Sequence, residues 1–306
     1  MIGKLSGSLV RLATLILCLM FVPRLYAQPR DGAAGETLSL GLVSQTDRQQ
    51  IEQHFRDFAD YVSRKVAPNS AAPKVVVAGT APELAKLLGE RKVDYYMESA
   101  YPTYVINDVH NAAKLLLRRW KGGLADYYSV VFVRAGSPIK RLEDLKGKTI
   151  AFEDPGSTSG YLLPKLFLQR HGLKLAEQRQ GAAAGAADLA YVFAQSQEKL
   201  VDAVLSGRAA AGAFSNDDLA AIDPKKKSEI AVLAQTDWLP RHLLSIRRDL
   251  PPGTAERLQA VLLGMHENPE GRKILENADG TTKFDLLPGG ETAMRRRLLE
   301  SFYSPK

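Results

Sequence analysis

The segment Asp154-Pro155-Gly156-Ser157-Thr158-Ser159-Gly160 sets three hydroxyl residues side by side, between a stretch that reads as a strand and one that reads as a helix. A helix start leaves several backbone N–H groups without intrahelical partners and carries the positive end of the helix dipole. An anion placed there gains from both. Ser157, Thr158 and Ser159 add hydroxyl donors, and Gly160 permits close approach to the backbone. Three adjacent hydroxyls suit a tetrahedral oxyanion, which presents several acceptors on a small sphere. An ordinary capped helix uses the same residue types, so the segment alone leaves both readings open.

A second group with chemical potential is Tyr96-Met97-Glu98-Ser99-Ala100-Tyr101. It follows a short strand, where open α/β sheets present residues to a ligand. Ser99 and Tyr101 are donors. Glu98 beside an anion is a selectivity device, because a carboxylate accepts the proton of a protonated oxyanion and rejects a fully ionised one. A surface glutamate favoured by a helix dipole is the competing explanation. Thr80, and Ser44 or Gln45, occupy equivalent strand ends. His54, His110, His171 and His266 have no metal-ligand spacing, and no HExxH, Walker A or G-x-S-x-G pattern occurs. Trp120 and Trp238 fit a core or a hinge better than a cleft lining.

The elements that must position these residues follow from periodicity. Thr37 to Val43, Lys74 to Ala78 and Val93 to Tyr96 read as strands. Between them lie helices over Asp47 to Val66, with Ile51, Phe55, Phe58 and Val62 on one face, and from Pro82 through Leu88. This alternation argues for a parallel sheet covered by helices. A long strand over Asp126 to Arg134, a turn at Gly136-Ser137-Pro138, a helical turn over Leu142 to Leu145 and a strand over Lys148 to Phe152 lead to the hydroxyl segment and a helix to about His171. Strand, helix and strand follow at Leu189 to Phe193, Glu198 to Leu205 and Ala209 to Phe214. Ile230 to Gln235 and Leu243 to Arg247 read as return strands. Helices are expected over Thr254 to about Glu276 and Thr292 to Tyr303. The run at 182–187 reads as a loop or helix start.

The stretch Tyr127 to Pro164 (YYSVVFVRAGSPIKRLEDLKGKTIAFEDPGSTSGYLLP) resembles the phosphate, phosphite and phosphonate group of ABC-transporter periplasmic substrate-binding proteins. Their pattern is a Tyr-x-Ser strand, a Ser-Pro-Ile turn, an x-Leu-x-Asp-Leu-Lys-Gly-Lys segment and Asp-Pro-x-Ser-Thr-Ser-Gly-x-Leu-x-Pro. Weaker likeness extends over Leu38 to Asp60 and Val192 to Leu250. The resemblance implies an α/β, type II periplasmic binding fold: two α/β lobes joined by a two-segment hinge, with a ligand cleft between them. Lobe 1 is expected over residues 28–127 plus 235–306, and lobe 2, inserted, over 128–234.

The family's anion clamp falls on Ser157, Thr158 and Ser159, and its cleft tyrosine on Tyr127. A family histidine at a helix start falls on Gln197, a departure, since Gln brings no positive charge. Acidic residues that surround the amine of aminoalkyl phosphonates fall on Asp217, which keeps its charge, and near His242, which does not. A lobe 1 tyrosine falls near Ala81. The amine half of the site therefore reads as dismantled, and the expected ligand lacks an ammonium group.

Residues 1–27 read as a secretory signal, with Lys4 and Arg11 ahead of the apolar run Leu12 to Val22, Pro23, and a cleavage site after Ala27. That run of about eleven residues is short of the roughly twenty a membrane span needs. Cys18 is the only cysteine and would leave with the signal, so the mature chain has no disulfide and no thiol nucleophile. The 306 residues carry a formal charge of +7. Loss of Lys4, Arg11 and Arg24 takes 41 basic residues to 38 against 34 acidic ones, leaving about +4, too mild for a nucleic-acid footprint.

The expected function is capture of a small phosphorus oxyanion in the periplasm for an ABC permease, by a monomer with no catalysis, no cofactor and no metal. The alternative is a sensing module that feeds a signalling receptor. An enzyme on the same fold would need a Cys, His or metal centre in the cleft.

Overall fold

The structure is a computed structural model that describes residues 38–45, 48–69, 71–178 and 188–303. The expected signal at 1–27 and the run at 182–187 lie outside the described residues. Two six-stranded sheets organise the chain. The first runs in the order Thr281–Leu286, Ala113–Lys121, His242–Arg247, Tyr95–Ser99, Leu40–Val43, Val75–Ala78. The second runs Ile230–Gln235, Ser129–Arg134, Ala211–Ser215, Lys148–Phe152, Leu189–Phe193, Leu175–Glu177.

The expectation of a parallel first sheet holds for only half of it. Leu40–Val43 pairs parallel with Val75–Ala78 and with Tyr95–Ser99. The other half is antiparallel, because the return strand His242–Arg247 enters against both Tyr95–Ser99 and Ala113–Lys121. Ala113–Lys121 and Thr281–Leu286 are strands that periodicity did not reveal. The former alternates buried and half-buried residues, but its Leu-Leu-Leu-Arg-Arg run hides that period. Arg119 lies in its middle and is 2% exposed. It is accommodated because its guanidinium donates to Thr281 Oγ1 at 2.7 Å and to the carbonyls of Ala278 and Asp279 at 3.0 Å. A buried charge needs this degree of satisfaction.

Apolar clusters cover both sheets on both faces. Phe55, Phe58 and Val62 of the helix Arg48–Val66 pack with Leu258 and Leu262 of Pro252–Gly264 on one face of the first sheet. Leu84 and Leu88 of Ala81–Gly89 cover the other face. The expected single helix over Thr254 to Glu276 is divided: Pro252–Gly264 gives way to a 3₁₀ turn, and Pro269–Asn277 starts afresh. Asn268 caps the second piece by accepting from Gly271 N at 2.7 Å, and Pro269 sits in its first turn, where its missing N–H costs nothing.

The chain passes between the sheets twice, and the two passages pair with each other. Asp126–Tyr127 forms a short antiparallel ribbon with Leu239–Pro240, so the expected strand over Asp126 to Arg134 is two strands. Thr236 and Ser129 fasten its end: Thr236 N donates to Ser129 O at 2.9 Å and Ser129 N donates to Thr236 Oγ1 at 3.0 Å. Tyr127, Leu163, Leu239 and Leu243 join Met294, Leu298 and Phe302 of the helix Gly290–Tyr303 in one buried cluster beside this ribbon.

One buried ion pair locks the strand that carries Glu98. Asp94 accepts from Ser39 N at 2.8 Å and from Arg247 Nε at 2.9 Å, with both charged side chains nearly solvent-free. Removing Asp94 strips Arg247 of its buried partner and leaves it only the more exposed Asp249, to which its Nη1 donates at 2.6 Å. Asp94→Ala is therefore expected to lower unfolding stability by about 3–5 kcal/mol, measured by urea denaturation. A loss below 1 kcal/mol would show that solvent reaches Arg247.

Candidate functional site

The hydroxyl segment sits where expected, between the strand Lys148–Phe152 and a helix that opens with a wide π-type turn at Thr158–Leu162 and continues as Leu163–Arg170. Ser157 has extended backbone and caps the helix: its Oγ accepts from Gly160 N at 2.9 Å. The same hydroxyl donates to Glu153 Oε2 at 2.9 Å. The turn before it is held by Asp154, whose Oδ1 accepts from Gly156 N at 2.7 Å.

A cavity of about 480 Å³ opens over this turn. Most of its lining comes from the carboxyl ends of parallel strands: Gln45 after Leu40–Val43, Thr80 after Val75–Ala78, Glu98 and Ser99 at the end of Tyr95–Ser99, Glu153 to Ser157 after Lys148–Phe152, and Gln195 after Leu189–Phe193. This is where α/β sheets place ligands. Both sheets contribute, and they touch directly. The Thr158 hydroxyl accepts from Tyr101 N at 2.8 Å and donates to Ser99 Oγ at 2.9 Å.

The sequence-derived residues divide into three groups. Ser157, Glu98, Ser99, Tyr101 and Thr80 line the cavity; the Thr80 hydroxyl is also engaged as a helix cap, accepting from Glu83 N. Thr158, Ser159 and Tyr127 lie just beneath, nearly solvent-free. Ser129 Oγ donates to Ser159 O at 2.6 Å, which ties the helix start to the adjacent strand and explains the serine of the Tyr-x-Ser pattern. Tyr127 rests under the Arg241 guanidinium, 5.1 Å from its ring centroid. Burial pushes the Tyr127 hydroxyl up to about 12, against the opposing pull of Arg241 and hydrogen bonds with Thr158 and Ser159.

Gln197, Asp217, His242 and Gly160 are not part of the cavity wall. Gln197 turns away, its Nε2 donating to Asp218 O at 3.2 Å. The glutamine that reaches the cavity from this sheet is Gln195, two residues earlier, at a φ of 69°. Asp217 forms an ion pair with Arg241. His242 pairs with Ser99 across the sheet, and burial, Arg119 and Arg241 hold its imidazole well below its ordinary pKa, so it is neutral. The open face of Gly160 is taken by Glu153: a Cβ there would lie 2.6 Å from Glu153 Oε2.

Sequence reasoning missed Glu153 and Arg241. Arg241 had a signal, since it sits between the ribbon residue Pro240 and the cleft-side His242. Glu153 had none, because its approach to Gly160 exists only once the turn is folded. The electrostatics therefore differ from a plain cationic cradle. No Lys, Arg or His lines the cavity among the described residues, and Glu98, Glu153 and Asp154 do. Burial pushes the Glu98 carboxyl up to about 7, although Val43 N donates to its Oε1 at 2.6 Å. Burial, followed by the charge of Asp218, pushes Glu153 up to about 7 as well. Both can hold a proton near neutrality.

The fold, and a cleft built from the strand ends of two sheets, define a type II periplasmic binding protein. The model of the ABC transporter, phosphonate, periplasmic substrate-binding protein family matches residues 40–287, and the chain belongs to that family. Its members bind and deliver substrates rather than transform them. The phosphonates-binding periplasmic protein of Escherichia coli K12 is 24% identical over 249 residues, covering 79% of this chain and 70% of that one. Among solved structures, XAC2383 from Xanthomonas citri bound to ATP superimposes with a TM-score of 0.79 at 27% identity, covering 87% of this chain and 95% of that one. PhnD1 from Prochlorococcus marinus MIT 9301, in complex with methylphosphonate, has the same fold, with a TM-score of 0.66 at 16% identity over 87% and 97% of the two chains.

A carboxyl whose folded pKa is raised costs stability as pH climbs from its unfolded value, 4.5 for Glu98, through about 7. The neutral amide removes that loss. Glu98→Gln is expected to melt higher than the parent at pH 8, by on the order of 5 °C, with the gap closing toward pH 4.5. Differential scanning calorimetry across that range checks it, and a constant gap would show that Glu98 is already ionised in the folded chain.

Proposed function

We propose that this chain captures a small phosphorus oxyanion (phosphate, phosphite or a simple phosphonate) in the periplasm and hands it, as a monomer, to an ABC permease. Residues 1–27 direct export and are removed. Residues 28–127 with 235–306 act as one lobe and 128–234 as the other, and the paired passages between the sheets absorb the rotation as the cleft closes. The ligand takes the Ser157, Thr158 and Ser159 hydroxyls and the N–H groups at the helix start, while Glu98, Ser99 and Tyr101 meet it from the opposite sheet.

The observation that carries this reading is the convergence of Ser157 with Glu98, Ser99 and Tyr101 on one cavity at the strand ends of both sheets. Membership in the phosphonate family supports the ligand class. The pairing of Asp217 with Arg241 supports a ligand without an ammonium group, because that carboxylate is already compensated. The raised Glu98 and Glu153 carboxyls support an oxyanion that arrives with, or acquires, a proton.

A larger phosphate ester is the second reading. A cavity of about 480 Å³ falls within the range of sites that enclose whole organic ligands, and the structure of XAC2383 holds ATP. Either ligand would serve equally in a module that reports to a signalling receptor.

A thermal-shift comparison of phosphate, phosphite, methylphosphonate, 2-aminoethylphosphonate and ATP tests these readings. Ligand at about 100 times its Kd contributes about 2.7 kcal/mol, a rise of several degrees. The small anions are expected to stabilise most, and Ser157→Ala to remove at least about three-quarters of that rise while costing about 1 kcal/mol of intrinsic stability as a lost cap. A dominant shift with 2-aminoethylphosphonate would overturn the ligand class, and one with ATP alone would establish the second reading.

A further inference from the structure

Glu153 is the first residue beyond the strand Lys148–Phe152, and its side chain folds back over the start of the helix that follows. Its Oε2 accepts the Ser157 hydroxyl at 2.9 Å. A Cβ on Gly160 would lie 2.6 Å from that oxygen and 2.7 Å from the Glu153 Cβ, so the glutamate fills the space left by the missing side chain. The backbone fixes this placement: Glu153 N donates to Gly160 O at 3.0 Å, and Gln195 N donates to Glu153 O at 2.8 Å. The Ser157 proton is thus already committed to a carboxylate, and the positive end of the helix already faces a negative group.

Among the charged groups around Glu153 none is a cation, and only the Ser157 hydroxyl bond favours its ionised form. Asp154 and Ser157 flank it on its own loop. Asp218, on the helix Asn216–Ala221, adds a further carboxylate. Gln195 follows the neighbouring strand, and Glu98, Ser99 and Tyr101 share the cavity from the first sheet. An ionised ligand meeting an ionised Glu153 here would be repelled in a partly desolvated space, where Coulomb terms are strong.

We propose that Glu153 is a specificity-determining residue of this cleft: its carboxylate holds the anion position at the helix start, and an oxyanion is admitted only when one proton is shared between the two. This rests on the oxyanion reading and narrows it to ligands that bind with net uptake or import of a proton. The proton comes from solvent onto Glu153 or arrives on the ligand; in either case one O–H···O bond between them replaces the Ser157–Glu153 bond, and the Ser157 hydroxyl turns to the ligand. Burial and the nearby Asp218 hold Glu153 at about 7, so the receptive form is plentiful at neutral pH and scarce above it.

The test is titration calorimetry of phosphate and methylphosphonate into the full chain and into Glu153→Gln, at pH 6 and pH 8, in buffers of differing ionisation enthalpy. At pH 8 about one Glu153 in ten carries a proton, so Glu153→Gln is expected to bind methylphosphonate, which is mainly a proton-free dianion there, about tenfold tighter than the parent, with a smaller gain for phosphate, which brings a proton of its own. At pH 6 the two should agree within about twofold. The parent should also take up as much as about one more proton per ligand at pH 8. Independently of the variant, the side-chain carboxyl resonance of Glu153 in the parent should titrate at higher pH once methylphosphonate is bound. Equal affinities at pH 8, or an unmoved Glu153 titration on binding, would overturn the role of Glu153 and leave the site intact. Failure of both anions to bind either protein at pH 6, where Glu153 is mostly protonated, would remove the oxyanion reading and this proposal with it.

Discussion

The backbone N–H groups at the start of a helix must find acceptors, and at residues 157–160 nearly everything nearby is arranged around that need. Ser157 Oγ takes one of these donors, and Glu153 stands against Gly160 at the positive end. Ser129 holds the Ser159 carbonyl from the neighbouring strand. Thr158 spends its hydroxyl on Tyr101 N and Ser99 Oγ, which joins the helix start to the other sheet. These bonds are mutually dependent, because the Ser157 and Thr158 hydroxyls each donate to one partner and accept from another. A ligand bound here as proposed would not enter an empty cradle; it would exchange partners with groups that are already satisfied, and its affinity would be the difference between two well-bonded states.

The distribution of charge follows from the same arrangement. The cationic groups Arg119 and Arg241 lie below the cavity floor, one bonded to Thr281 and Asp279 and the other stacked on Tyr127 and paired with Asp217. Burial first, and then these two charges, keep His242 neutral. The wall itself is acidic and hydroxylated. Under the proposed oxyanion reading, selectivity then depends on how many protons an anion brings, more than on its charge alone.

Much of this was legible in the chain. The order strand, Asp-Pro-Gly, three hydroxyls and helix located the helix start, and the long match through Tyr127 to Pro164 indicated the fold. What escaped has physical reasons. Ala113–Lys121 carries arginines in a sheet interior, a pattern that period-2 reading discounts unless the partners are known. Gln197 occupied the expected motif position, but the left-handed backbone at Gln195 sends the earlier residue toward the cavity. The Glu153 contact depends on a turn that brings residues seven apart into van der Waals range, and no spacing rule encodes it. The half-antiparallel first sheet was hidden because its last two strands, His242–Arg247 and Thr281–Leu286, arrive from a distant part of the chain.

That last property has a temporal consequence. The central strand His242–Arg247 of the first sheet, and its edge strand Thr281–Leu286, are separated from Leu40–Val43 by some two hundred residues, whereas every strand of the second sheet lies within one continuous stretch. Contacts so distant in sequence close slowly. During synthesis the second sheet has all its strands while the first still lacks two. The half-made first sheet leaves an edge of Tyr95–Ser99 bare until His242–Arg247 emerges, and in that interval the strand that carries Glu98 lacks one neighbour.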